Sequence, residues 1–254
     1  MLLLTILNCQ AQDYSLLKTI QVNANSIEVD PFGNFYIVED DKISKYSEYA
    51  DLLFVFQDLE YGTISTVDVS NPLKPVVFCR DFSILQILDQ KMSLLNTINL
   101  IERNLDLTET VAIANGDNYW VYDTGSNSLK KMNKSLKPVY ESESFISLFS
   151  EITMPIKIIE SEQHVFVLND NGVLLFDLFA NYIKTIKISN LKDFQILNNK
   201  LIYVNERGFI SYNLISMEEE LLETPNKKIV KSAKVFKNGL LILSNNQLSI
   251  YVLK

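Results

Sequence analysis

The feature that most constrains this chain is a short apolar segment that recurs about every 40 residues. Six copies align: FYIVED at 35–40, VVFCRD at 76–81, YWVYDT at 119–124, VFVLND at 165–170, LIYVNE at 201–206 and LLILSN at 240–245. Each is apolar at consecutive positions and rich in Val, Ile and aromatics. A strand with one wet face would alternate apolar and polar side chains, so these strands are expected to be covered on both faces. Each copy ends in a polar turn and runs into another strand, at 42–47, 83–88, 128–133, 173–178, 209–214 and 247–252. Gly172 and Gly208 supply the positive φ that such tight hairpins favour.

A further strand precedes each copy: SIEVD at 26–30, STVDV at 65–69, TVAIA at 110–114, IKIIE at 156–160, DFQIL at 193–197 and SAKVF at 232–236. An outer strand follows in most repeats, as in 51–58 and 182–189. Several short strands per 40-residue period specify an all-β, six-bladed β-propeller. The last repeat has only three strands. LLKTIQVN at 16–23 is similar to YIKTIKIS at 182–189, so it is expected to complete the C-terminal blade and close the ring, removing an unpaired edge. The second repeat is the least regular, with Asn71-Pro72 and Lys74-Pro75 in its turn region. Residues 217–221 hold enough helix formers for one helical turn, and 61–64 and 142–149 read as loops between blades.

Among 254 residues, 47% are hydrophobic and 21% charged, an ordinary globular composition, and the net charge is −8. That balance argues against nonspecific nucleic-acid binding and against anionic membrane surfaces. The single histidine, His164, disfavours His-based metal or triad chemistry and reads as a turn residue. The N-terminus is apolar through Asn8 and continues Cys9-Gln10-Ala11-Gln12. Ala11 and Cys9 are small residues at the positions a signal peptidase reads, so 1–11 is expected to be an export signal and 12–254 a single propeller domain, although no basic residue precedes the apolar run. A lipid anchor on Cys9 would need a small residue where Asn8 stands. Cys79 is then the one internal cysteine, so no intramolecular disulfide forms, and its apolar neighbours make it a buried small hydrophobe. No later apolar run approaches a membrane span.

Two stretches carry a resemblance. Val29-Asp30-Pro31-Phe32-Gly33-Asn34-Phe35-Tyr36 resembles the first half of an NHL-type repeat, and Asp123-Thr124-Gly125-Ser126-Asn127 its second half. The resemblance implies a six-bladed propeller and leaves activity open. The signal ending in Ala-Gln and the Asn/Lys/Ile-rich style are similar to secreted proteins of Bacteroidota. One propeller of that setting is a periplasmic subunit of the type IX secretion translocon. This implies the periplasm or cell envelope as location and an envelope protein, such as an outer-membrane translocon, as partner.

The turns after the six apolar strands gather on one face. They carry Asp40, Asp41, Arg80, Asp81, Asp123, Asp170, Glu206 and Arg207, with Asn169, Asn171, Asn205, Asn245 and Asn246. These are the candidate binding residues. Such a ring of oxygens suits Ca²⁺, which takes about six to eight oxygen ligands, or a basic protein partner. Asp and Asn also occupy hairpin turns simply because they cap the backbone and tolerate left-handed conformations. Six-bladed lactonases, which this fold resembles, hold Ca²⁺ in the central channel with Glu, Asn and Asp. The inner-strand acids here are Glu28, Asp30, Asp68, Glu160 and Asp193. Trp120 and Tyr122 read as packing residues. The expected function is a noncatalytic protein-binding scaffold at the envelope, needing no cofactor. The alternatives are a Ca²⁺-dependent hydrolase using channel carboxylates and a sensor domain binding a sugar or peptide.

Overall fold

The computed structural model describes residues 14–151, 153–225 and 230–254. The stretch 1–11 expected to be an export signal, with Cys9, lies outside the described residues. After β1 (Tyr14–Gln21), the first blade runs β2 (Ser26–Val29), β3 (Phe35–Glu39), β4 (Lys42–Tyr46), β5 (Leu52–Gln57). The second is β6 (Thr66–Asp68), β7 (Val76–Cys79), β8 (Ile84–Leu88), β9 (Leu94–Asn99). The third is β10 (Thr108–Ala114), β11 (Asn118–Asp123), β12 (Ser128–Met132), β13 (Pro138–Glu141). The fourth is β14 (Lys157–Ser161), β15 (His164–Asn169), β16 (Gly172–Asp177), β17 (Tyr182–Ile186). The fifth is β18 (Phe194–Leu197), β19 (Lys200–Asn205), β20 (Gly208–Asn213), β21 (Glu219–Leu222). The sixth is β22 (Ser232–Phe236), β23 (Gly239–Ser244), β24 (Gln247–Leu253), and β1 pairs antiparallel with β24 as its outer strand. The chain is a closed six-bladed β-propeller of antiparallel four-stranded sheets. The clasp pairs Tyr14 with Leu253 and Gln21 with Gln247, so it begins two residues before the expected start.

Consecutive apolar positions in the second strand of each blade have a plain cause. Successive side chains point to opposite sides of a sheet, and each side meets a different neighbouring blade. In β3, Phe35 and Ile37 pack with the sixth blade, while Tyr36 and Val38 pack with the second. In β11, Tyr119 and Val121 face the second blade, and Trp120 and Tyr122 face the fourth. In β23, Leu241 and Leu243 face the first blade, and Leu240 and Ile242 the fifth. The core is therefore six slabs, one between each pair of blades. Blade two follows this plan despite its prolines, with Val77 and Cys79 on one side and Val76 and Phe78 on the other.

The turn from third to fourth strand repeats a device the sequence reading did not identify. Ser47, Asp89, Asn133 and Asp177 each accept hydrogen bonds from the backbone N–H groups two and four residues on. The residue three positions on is left-handed, non-glycine and buried: Ala50 (φ 64°), Met92 (φ 63°), Leu136 (φ 57°) and Ala180 (φ 69°). The Asx- or Ser-type cap and the burial together hold a conformation that costs an L-residue about 1–2 kcal/mol. In blade five Asn213 accepts from Ile215 and Ser216, the loop is one residue longer, and its left-handed Met217 (φ 61°) is exposed. The helix formers at 217–221 thus end in strand β21, because pairing with β20 satisfies backbone groups that a single isolated helical turn would leave open. Within 142–149 the structure adds α1 (Phe145–Leu148), capped by Ser144 Oγ, which accepts from Ile146 N–H at 3.4 Å. Phe145 buries its ring among Tyr122, Phe149 and Phe176.

Candidate functional site: a connector face and an ion-paired channel

Strands within each blade alternate in direction. The turns between second and third strands therefore share one face with the connectors that lead to the next blade. Local hydrogen bonds tie the two together. Asp40 O accepts from Ile64 N–H at 2.7 Å and Asp40 Oδ1 from Asn25 Nδ2 at 3.2 Å. Asp41 Oδ2 accepts from Gln57 Nε2 at 3.0 Å. Arg80 pairs with Glu109, and Asp81 lies exposed with Oδ1 3.9 Å from Arg80 Nε. Asp123 accepts from Gly125 N–H, Ser126 Oγ and Lys130 Nζ, the last at 2.6 Å. Burial opposes the charge on Asp123, but these donors overcome it and hold its carboxyl below the usual aspartate range. Asp170 is exposed at the tip of the hairpin that Asn169 caps. Glu206 accepts from Asn190 Nδ2 at 3.3 Å, and Arg207 pairs with Glu219 at 2.6 Å. The eight candidate residues thus occupy the same face on five blades; Asp123 is bonded within its own turn, while Asp40, Asp41, Arg80, Glu206 and Arg207 bond to neighbouring connectors and strands. They form a polar rim there, with no convergent centre.

The centre of the ring holds a feature the sequence reading passed over. Lys157, at the start of β14, bonds Glu28 Oε1 at 2.5 Å and Asp193 Oδ1 at 2.8 Å. Lys234, in β22, bonds Asp193 Oδ2 at 2.7 Å, lies 3.5 Å from Glu28 Oε2 and donates to Phe194 O at 3.0 Å. These four side chains come from inner strands, or the residue just before one, in blades one, four, five and six. Blades one and four are opposite each other in a ring of six, so the Lys157–Glu28 contact crosses the bore. The quartet carries two positive and two negative charges and is largely buried, with Lys234 only 2% exposed. Burial disfavours the Lys157 ammonium, yet Asp193 and Glu28 more than offset it and hold its pKa above the ordinary lysine value. Burial likewise opposes the Asp193 carboxylate, and Lys157 and Lys234 hold its pKa well below the ordinary value. The channel that these side chains help to line has a volume of about 1110 Å³.

This arrangement does not fit Ca²⁺. Two ammonium groups already occupy the space between Glu28 and Asp193 where a cation would sit, and a divalent ion would meet their repulsion. The other inner-strand acids have separate partners. Asp30 accepts from the Phe32 and Asn34 N–H groups, Asn34 Nδ2 and the Tyr36 hydroxyl. Asp68 accepts from Ser70 N–H and Ile113 N–H, bridging blades two and three. Glu160 accepts from Asn115 N–H and Trp120 Nε1, and Lys131 Nζ stands 3.4 Å from it and 5.1 Å from the Trp120 ring centre. Among the described residues, no three His, Cys, Asp or Glu side chains converge as a metal site requires. The signal that would have found the quartet is present in the sequence. Lysines at 157 and 234 interrupt the largely apolar inner strands IKIIE and SAKVF, which line the ring's axis together with the strands that carry Glu28 and Asp193.

The connector face also bears apolar side chains. Leu59, Phe82, Ile101, Leu107, Ile146 and Met154 are exposed on the connectors and turns between blades one and four. Among the described residues of blades five and six, no exposed large apolar side chain lies on this face; Ile215 and Met217 belong to the opposite face and Leu221 to the rim.

No family model and no curated protein matches the chain in sequence. Its structural likeness is to propeller domains. The β-propeller domain of Myceliophteria thermophila Cps50 (Swd1) superposes with a TM-score of 0.65 at 9% identity, covering 95% of this chain and 100% of that one. The Neurospora crassa Pan2 WD40 domain gives 0.64 at 10% identity over 95% and 96%. Virginiamycin B lyase from Staphylococcus aureus gives 0.62 at 11% identity over 95% and 100%. At these identities the chain shares with them the propeller fold.

Proposed function

We propose that this protein is a noncatalytic protein-binding propeller that acts as a scaffold at the cell envelope, with its connector face as the recognition surface. One observation carries the reading. The channel, where a propeller would hold a small substrate or metal, is crossed by a neutral ion-pair quartet, while the connector face exposes apolar side chains to solvent. Exposed apolar side chains also stand on the opposite face and the rim, but those on the connector face of blades one to three lie on adjoining segments, and an exposed apolar patch of that kind is a mark of protein contact. WD40 domains among its structural neighbours share the ring architecture. The apolar N-terminus with small residues at Cys9 and Ala11 supports export. The Ala-Gln ending of the expected signal and the Asn/Lys/Ile-rich style, similar to secreted proteins of Bacteroidota, are the basis for naming an outer-membrane secretion complex as the partner.

The test is chemical cross-linking in native cells, then affinity purification of the tagged protein and mass spectrometry. The expected result is stoichiometric recovery of an envelope protein, with cross-links from Lys192 or Lys231 at the channel mouth. Recovery of the protein alone from cross-linked cells would refute the scaffold reading. Osmotic-shock fractionation tests location, and a wholly cytoplasmic pool would refute export.

A further inference from the structure

We propose that the connector face of blades one to three binds a partner segment in which apolar anchors are flanked by lysine or arginine. This deepens the protein-binding reading and rests on it. Leu59 is 79% exposed, Phe82 51%, Ile101 56% and Leu107 52%. They belong to three segments that meet at one short 3₁₀ turn, Arg80–Phe82. Phe82 meets Tyr61 edge-on, with ring centres 6.3 Å apart, which joins the first connector to the turn. Leu100 N–H donates to Ser83 O at 2.8 Å and Ser83 Oγ donates to Asp106 O at 3.1 Å, which joins the second. Thr124 N–H and Oγ1 both donate to Leu107 O, at 2.9 and 3.0 Å, fixing the far end against blade three. The apolar side chains therefore stand on a braced platform.

The charge around them chooses the partner. Segments 58–62, 80–82 and 101–109 hold six carboxylates and two guanidiniums. One guanidinium, Arg80, is engaged by Glu109. Glu60, Asp81, Glu102 and Asp106 stand exposed beside the apolar positions. An apolar surface fringed by excess carboxylate is complementary to a segment that buries Leu, Phe or Trp and places cations outside them, and it repels acidic sequences. The other exposed apolar sites lack this arrangement. Phe32, Leu73 and Phe179 stand on separate hairpins of the opposite face, and Leu53 and Leu95 lie on outer strands at the rim.

The experiment pans the full chain against a random-peptide display library. Selected peptides are then titrated by fluorescence anisotropy at low and physiological salt. The variants are Phe82→Ser, Leu59→Ser, Asp81→Lys with Glu102→Lys, and Leu53→Ser at the rim. The expected peptides carry Lys or Arg beside large apolar residues. Phe82→Ser and the double charge reversal should each weaken binding about tenfold, as should moving to physiological salt, while Leu53→Ser leaves it unchanged. Leu59→Ser gives a second reading should Phe82→Ser lower the melting temperature. Acidic or uncharged peptides, or binding indifferent to all the face variants, would overturn the inference. Loss on Leu53→Ser alone would overturn it and leave the scaffold reading standing at a different surface. A library that yields no binder would also overturn it, and the cross-linking experiment decides the broader reading independently.

Discussion

Replacing Lys157 with methionine tests the central quartet directly. Met keeps most of the stem's volume and removes the charge. Glu28 and Asp193 then share only Lys234, which is 2.7 Å from Asp193 but 3.5 Å from Glu28. Removing one partner of a buried ion pair costs about 3–5 kcal/mol, because the opposite charge is left in a poorly hydrated site. Lys234 still covers Asp193, which places the expected loss at the lower end, about 3 kcal/mol. For a chain of this size that lowers the melting temperature by roughly 6–12 °C. The pH dependence has a definite sign. Asp193 has a depressed pKa, so its contribution is present above the ordinary aspartate pKa of about 4 and is lost as pH falls through its lower folded value. Lys157 has a raised pKa, so its contribution is present below about 10.5 and is lost as pH rises through the higher folded value. The gap between wild type and Lys157→Met should thus be widest near neutrality and narrow below about pH 4. Adding Glu28→Gln to Lys157→Met should recover about half of the loss, since it removes the stranded carboxylate. The assay is thermal unfolding by circular dichroism between pH 3 and pH 8. A single variant within about 2 °C of wild type, or a double variant no more stable than the single one, would refute the buried-quartet reasoning.

Three further outcomes follow from local geometry. Asp177→Ala removes the acceptor for Phe179 N–H, Asn181 N–H and Asn181 Nδ2, and should cost about 1–2 kcal/mol in urea unfolding; no change would mean the turn holds its left-handed Ala180 unaided. Trp120→Phe leaves Glu160 without the indole donor and should cost about 1.5–3 kcal/mol. Trp120 is the sole tryptophan and fully buried, so wild-type emission should be blue-shifted and resist acrylamide quenching until unfolding, and a red-shifted native spectrum would contradict the packing. Burial pushes the Cys79 thiol up to about 11, with nearby Asp58 and Asp81 adding to the shift. In a Cys9→Ser background it should react with a thiol reagent only after urea unfolding, and rapid labelling of the native protein would refute its burial.

Some features were legible because they follow from local pattern. Runs such as Phe35–Val38 have apolar side chains at odd and even positions alike, and only a strand covered on both sides gives water no access to either set. The similarity of 16–23 to the outer strand of the fourth repeat, together with a last repeat of three strands, gave ring closure, because a propeller leaves two edges unless one strand crosses the gap. The turn Asp and Asn residues were legible as candidate caps, and Asp123, Asn169 and Asn205 act as such.

Other features depended on which blades face each other. Glu28 and Lys157 are 129 residues apart, and nothing in either neighbourhood names the other. They meet because six repeats of nearly equal length place blades one and four across a narrow bore. The same acids that make a channel resemble a calcium site were matched with lysines on strands elsewhere in the ring, and only closure shows the match. The left-handed Ala50, Met92, Leu136 and Ala180 were hidden for a related reason, since burial against a neighbouring blade holds a conformation that local preference disfavours. The sequence by itself determined the blade, its repetition and the means of closing the ring, since these rest on period and side-chain alternation along one strand. The tertiary structure alone decided which charges cancel at the axis and which apolar side chains share a face, because both depend on distances between strands that are remote in the chain.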